Sequence, residues 1–126
     1  MDKLYEISHE RKKAHQKLLS LKSKVYESFL KMEQAAYADG ALPKKTKELI
    51  AIGISVVMDC ESCMQWHIDQ AAACGATQQE ILEAVEVGIE MAAGRVTVSA
   101  RFALDVMERA FPPNTTVQAI AAAPGS

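Results

Sequence analysis

From Tyr5 to Tyr37 the chain carries neither glycine nor proline, and apolar residues return at Leu18, Leu21, Val25, Phe29 and Met32. Steps of three and four are the period of a helix with one apolar stripe. Composition alone leaves open whether this stretch is one helix or two, with Ser20 to Ser23 the place for a break. Asp39-Gly40 ends it. Pro43 suits the first turn of the next helix, which continues through LIAIGISVVM and is apolar nearly all round. Such a helix has to be covered on several sides. Asp59 is a candidate N-cap for a third helical segment running to about Cys74, where Gly75 offers a left-handed stop. Thr77 and Glu80 have capping-box spacing and open a further helix ending near Gly94. Arg95 to Phe111 reads as the last, stopped by Pro112-Pro113. No strand pattern and no internal repeat is found. The expectation is an all-α bundle of about five or six helices, a single domain over 1–111 with 112–126 a flexible tail or an arm laid on a neighbouring subunit.

Charge and composition narrow the function. With 14 basic and 16 acidic residues the chain has a formal charge of −2, so it lacks the basic footprint that nucleic acid would require. The opening MDKLYEISHERKK is charged from its second residue and has no apolar signal core. Leu49 to Met58, the longest nearly unbroken apolar run, is about half of what a membrane span needs. A cytoplasmic protein without membrane contact is expected. Three cysteines make no closed disulfide framework, and in a reducing compartment they read as reactive or metal-binding thiols.

The chemistry concentrates in DCESCMQWH, residues 59–67, inside a core segment 43–94. On a helix beginning at Asp59, Cys60 and Cys63 stand one turn apart, with Cα atoms about 5–6 Å apart, within reach of a disulfide. Cys60 in the first turn would face unpaired N–H groups and the positive helix end, which favour thiolate. His67 follows Cys63 by four residues, on the next turn of the same face, where it can act as acid and base. Glu48 enters through topology. If the helices before and after Met58-Asp59 form an antiparallel hairpin, Glu48 lies level with residues 67–70, and its nearest ionisable partner is His67. A carboxylate there would orient the ring as the third member of a nucleophile, base and orienter arrangement.

The segment from Lys45 to Gly88, with Glu48, eleven residues, and then Cys60, Cys63 and His67 as C-x-x-C-x-x-x-H, resembles the carboxymuconolactone decarboxylase family, and within it the alkylhydroperoxidase D-like branch. The resemblance implies that branch's helical bundle, a homo-oligomer of three or six subunits, and peroxide or disulfide reduction through a cysteine pair. It implies no cofactor and no metal, and a thioredoxin-like or lipoyl-bearing reductant. It gives the attacking role to Cys63 and the resolving role to Cys60, whereas the helix-dipole argument makes Cys60 the more acidic thiol. Ser62 departs from the peroxidase prototype, which has another histidine there.

Two other classes compete. A lactone decarboxylase, the family's other named activity, would need an arginine or histidine clamp for a substrate carboxylate and would have no use for the cysteines. A zinc module could take Glu48, Cys60, Cys63 and His67 as ligands, although Cys60 and His67 are about two turns apart on one helix. The remaining candidates have plainer readings. Cys74 is expected as a packed helix-end residue, His9 and His15 as surface histidines, Glu10 to Lys13 as a solvated face, and Met58, Met64, Met91 and Met107 as core filler. Trp66 walls a pocket or is simply half-buried.

Overall fold

The computed structural model describes residues 2–111, and among these every regular element is a helix. In chain order they are α1 (Lys3–Ser20), α2 (Lys24–Tyr37), α3 (Lys44–Met58), α4 (Glu61–Ala73) and α5 (Gln78–Ala110). The all-α expectation holds. The residues group into two compact units, Met1–Met91 and a second that begins at Ala92. The first contains all the residues singled out for chemistry.

Local signals explain most boundaries. Asp2 caps α1 by accepting from Leu4 N–H at 3.0 Å, and Ser23 caps α2 by accepting from Tyr26 N–H at 3.1 Å. Between them the chain breaks at Leu21 to Ser23, with Lys22 in the left-handed region at φ 55°. The amino-terminal stretch is therefore two helices. Asp39 Oδ1 accepts from Lys44 N–H at 2.7 Å, which fixes the start of α3 just after Pro43. Gly75, at φ 87°, ends α4 as expected. Thr77 and Glu80 complete their reciprocal box, with Thr77 N–H to Glu80 Oε1 at 2.8 Å and Glu80 N–H to Thr77 Oγ1 at 3.1 Å. The Thr77 backbone bond, helped by Lys45, holds the Glu80 carboxyl below its ordinary range.

One boundary is corrected. A helix end near Gly94 and a new start at Arg95 were expected, but both residues lie inside α5. An isolated glycine costs a helix only about 1 kcal/mol, and Ala92 and Ala93 before it are strong helix formers.

Packing in the first unit centres on the hairpin of α3 and α4. The buried positions of α3 are Glu48, Ala51, Ile52 and Ser55, a single stripe at helical spacing, and Ala71 of α4 is buried with them. The opposite side of α3 is open in the protomer: Ile50, Ile54 and Met58 are exposed. The expectation that this helix is covered all round is thus not met within one chain. Nor do Met58, Met91 and Met107 fill a core, since each is more than half exposed.

Within the first unit α3 and α5 approach closely at two glycines. A Cβ placed on Gly88 would lie 2.8 Å from the Gly53 carbonyl oxygen and 3.1 Å from Val56 Cβ. The carbonyl is helical backbone and cannot step aside cheaply, so here the absent side chain is what lets the two helices close. Gly88→Ala should destabilise the protein by about 1–3 kcal/mol, the usual cost of overpacking, measured by urea unfolding. Helix propensity alone would give the opposite sign, by about 1 kcal/mol. A variant as stable as the parent or more so would show that the contact is not close.

Candidate functional site

The corner between α3 and α4 sets the geometry. Asp59 ends α3 in the left-handed region, φ 54° and ψ 44°, and the chain turns with Cys60 N–H donating to Ser55 C=O at 3.1 Å. Aspartate tolerates that conformation better than most residues. This corrects the expected N-cap: Asp59 closes α3, and Cys60 caps α4, its Sγ accepting from Cys63 N–H at 3.3 Å. Cys60 stays at the positive end of the helix, one position earlier than expected.

Cys60 and Cys63 are joined as a disulfide, with Cα atoms 5.2 Å apart. The spacing estimate from a one-turn separation matches that distance. Cys74 carries a free thiol at the C-cap of α4 and is partly exposed.

Glu48 and His67 meet as the hairpin topology required. His67 Nδ1 lies 2.7 Å from Glu48 Oε2, and a carboxylate can only accept, so Nδ1 carries the proton of that bond. The carboxylate is almost wholly buried, at 2% exposure, and the imidazole is 14% exposed. The second carboxylate oxygen, Oε1, faces Lys44 Nζ at 4.0 Å, and that amine donates to Gln70 Oε1 at 3.0 Å. With Nδ1 committed to Glu48, Nε2 is the ring nitrogen free to exchange a proton. His67 stands one turn after Cys63 on α4.

Two side chains at the site come from helices that sequence reasoning did not connect to it. Tyr37, the last residue of α2, stacks on the His67 ring with centroids 5.2 Å apart and planes 29° from parallel. Burial first, then the Glu48 and Glu33 carboxylates, push its phenol above the ordinary range, so it stays protonated. Arg11 of α1 was expected on a solvated face. Instead, its guanidinium donates to Ser62 Oγ at 3.3 Å and Gln65 Oε1 at 3.3 Å, and lies over the Trp66 ring at 5.2 Å from the centroid. Ser62, the residue inside the cysteine motif that departs from the prototype, is thus tied to α1. Gln65 Nε2 adds a bond to Leu4 C=O at 2.7 Å. Neither Tyr37 nor Arg11 belongs to a local motif, and their role follows only from how α1 and α2 pack.

The remaining histidines divide. His9 is exposed and stacks on Tyr5, while His15 is partly buried and hydrogen-bonds the Tyr26 hydroxyl, which corrects the surface reading for that residue. Trp66 does wall a cavity, one of about 420 Å³ shared with Tyr37, Glu48 and Lys44. Among the described residues no three His, Cys, Asp or Glu side chains converge as a metal-binding group. No helix of the described residues is long and apolar enough to cross a membrane.

Known proteins carry the same arrangement of helices. A protein of Legionella pneumophila, described as a carboxymuconolactone decarboxylase family member, superposes with a TM-score of 0.70 at 32% identity, over 86% of this chain and 97% of its own. A Thermotoga maritima protein of the same family, for which involvement in an antioxidative response has been suggested, superposes with a TM-score of 0.63 at 27% identity, over 82% of this chain and 88% of its own. In sequence, an uncharacterized protein of the cox locus of Paracoccus denitrificans is 40% identical over 82 residues, 65% of this chain and 74% of that protein. The model of the carboxymuconolactone decarboxylase family matches residues 23–106, and with two thirds of its length so matched the chain belongs to that family.

Proposed function

We propose that the protein is a thiol oxidoreductase that reduces a peroxide, or a disulfide, through a dithiol–disulfide cycle of Cys60 and Cys63. The observation that carries this reading is the bridged Cys60–Cys63 pair on the helix whose next turn bears a histidine held by a buried carboxylate. In the peroxide form of the reaction, the Cys63 thiol gives its proton to His67 Nε2, and the resulting thiolate attacks the O–O bond and keeps one oxygen as a sulfenic acid. The other oxygen leaves as an alcohol or water, taking that same proton back from Nε2. The Cys60 thiol then attacks the sulfenic sulfur, water departs, and the disulfide closes. The peroxide gains two electrons and the thiol pair loses two. A dithiol reductant, thioredoxin-like or lipoyl-bearing, attacks the Cys60–Cys63 bond and returns both thiols. Glu48 works through the ring, accepting from Nδ1–H. No bound cofactor enters the cycle.

Single substitutions separate these roles. Cys63→Ser should abolish peroxide consumption with excess chemical reductant, while Cys60→Ser should complete one attack and leave a sulfenic acid at Cys63 that a dimedone probe traps. His67→Asn, whose amide can still donate to Glu48, should slow consumption by about 10²–10⁴-fold, the contribution of a positioned acid–base group. Glu48→Gln should act in the same direction and less. Sulfenic acid trapped at Cys60 in the Cys63→Ser protein, with consumption intact, would exchange the two cysteines' roles and favour the helix-end argument.

We further propose that the working form is a homo-oligomer, a trimer or hexamer. Ile50, Ile54 and Met58 on the open side of α3 and Val87, Ile89 and Met91 on α5 are all roughly half exposed or more in the protomer, while the buried apolar side chains of the described residues are only Ala51, Ile52 and Ala71. A chain of this length ordinarily buries about two thirds of its unfolded surface, and a second copy is the simplest cover for what is left open. Light scattering at micromolar concentration should give three or six times the mass of the chain; a monomer would contradict this assignment.

A further inference from the structure

The Glu48–His67 bond leaves one degree of freedom unsettled. An imidazole held by one hydrogen bond can turn about its side-chain torsions, lose the bond to Glu48 and then exchange its tautomer, which moves the nitrogen that is meant to handle the proton. Something must hold the ring plane. Tyr37 is placed to do so: its ring lies against the imidazole face at 5.2 Å, inclined by 29°. It arrives from α2, outside the α3–α4 hairpin that carries Glu48, Cys60, Cys63 and His67. Tyr37 also lines the 420 Å³ cavity beside Glu48, Lys44 and Trp66, whereas His67 is not in that cavity's wall. The phenol ring thus borders both this open space and the imidazole, whose side chain is 14% exposed.

We propose that Tyr37 is a positioning residue of the site, its ring clamping the His67 imidazole in the plane and tautomer that keep Nδ1–H on Glu48 and Nε2 free for proton transfer. The role rests on the thiol-redox reading for its use in catalysis, but the clamp itself is a property of the folded protein. It belongs to the ring face and not to the hydroxyl. The raised phenol range supports this division, because a protonated tyrosine puts no negative charge against Glu48. Stacking of this kind favours the ring orientation that keeps Nδ1–H on Glu48 by about two- to tenfold over one that releases it.

The test uses full-length oxidised protein, labelled with ¹⁵N, and two-bond ¹H–¹⁵N correlation of the histidine rings at about pH 8, above the ordinary imidazole range. His67→Asn identifies the His67 signals among the three histidines. The parent should show His67 as the Nδ1–H tautomer alone, and Tyr37→Leu should show both tautomers in exchange. Tyr37→Phe keeps the ring and should restore the parent pattern. Tyr37→Met, which fills the space without a π face, should behave as leucine does and guards against a leucine protein that folds poorly. In the reduced protein, the rate of thiol oxidation by peroxide should fall about tenfold or more in the leucine and methionine variants, the scale of a misplaced catalytic group, with phenylalanine rescuing it. A single unchanged tautomer in both Tyr37→Leu and Tyr37→Met would overturn the clamp, and so would a Tyr37→Phe protein as impaired as Tyr37→Leu. If the parent itself consumes no peroxide, the peroxide reading fails while the tautomer result still decides the role of Tyr37.

Discussion

A carboxylate taken almost wholly out of water must be paired, because the solvation it gives up is worth several kcal/mol even after the protein relaxes. Glu48 is in that position, and His67 is the partner that meets it. Most of the site follows from satisfying that one group. It requires α4 to lie antiparallel on α3 with residues 48 and 67 at the same level, which the left-handed Asp59 permits by turning the chain immediately after Met58. The same turn puts Cys60 at the amino end of α4, with Cys63 one turn on and His67 one turn further. The cysteine pair and the histidine proposed to serve it are therefore arranged by the hairpin that buries Glu48, and removal of either member of the Glu48–His67 pair would leave a buried charge or an unanchored ring. Polar ties from Arg11 and Leu4 of α1, and the ring of Tyr37 from α2, then close over this hairpin from outside.

What was legible in the sequence was what local rules encode. The Cys60–Cys63 spacing implies the distance found because a helical turn has a fixed pitch, and Glu48 could be matched to His67 because positions on either side of a corner count off at equal rise. Residues whose chemistry serves two purposes were harder. Asp59 suits both an N-cap and a left-handed helix end, and nothing local says which it adopts. Gly94 reads as a stop in one dimension, yet its penalty is small beside the helix-forming neighbours that carry α5 through it. Arg11 and Tyr37 lie on helices whose own periodicity points to no site, and only the packing of α1 and α2 brings them there.

The apolar pattern misled for a different reason. Ile50, Ile54, Met58 and Met91 look like core by their residue type and spacing, but hydrophobic periodicity reports only that a face is to be covered and not by which chain. Gly53 and Gly88 show the converse: a close backbone contact is made where side chains are absent, and a glycine in a helical pattern carries no sign of the backbone that approaches it.

Whether the buried Glu48–His67 pair serves thiol chemistry is tested most directly by mixing fully reduced wild-type protein with an equimolar organic hydroperoxide under anaerobic conditions and following thiols and peroxide together. One peroxide should disappear for each Cys60–Cys63 disulfide formed, with Cys74 still free, and at a rate well above that of the same concentration of dithiothreitol. Oxidation no faster than the small dithiol, or a principal disulfide that includes Cys74, would contradict it.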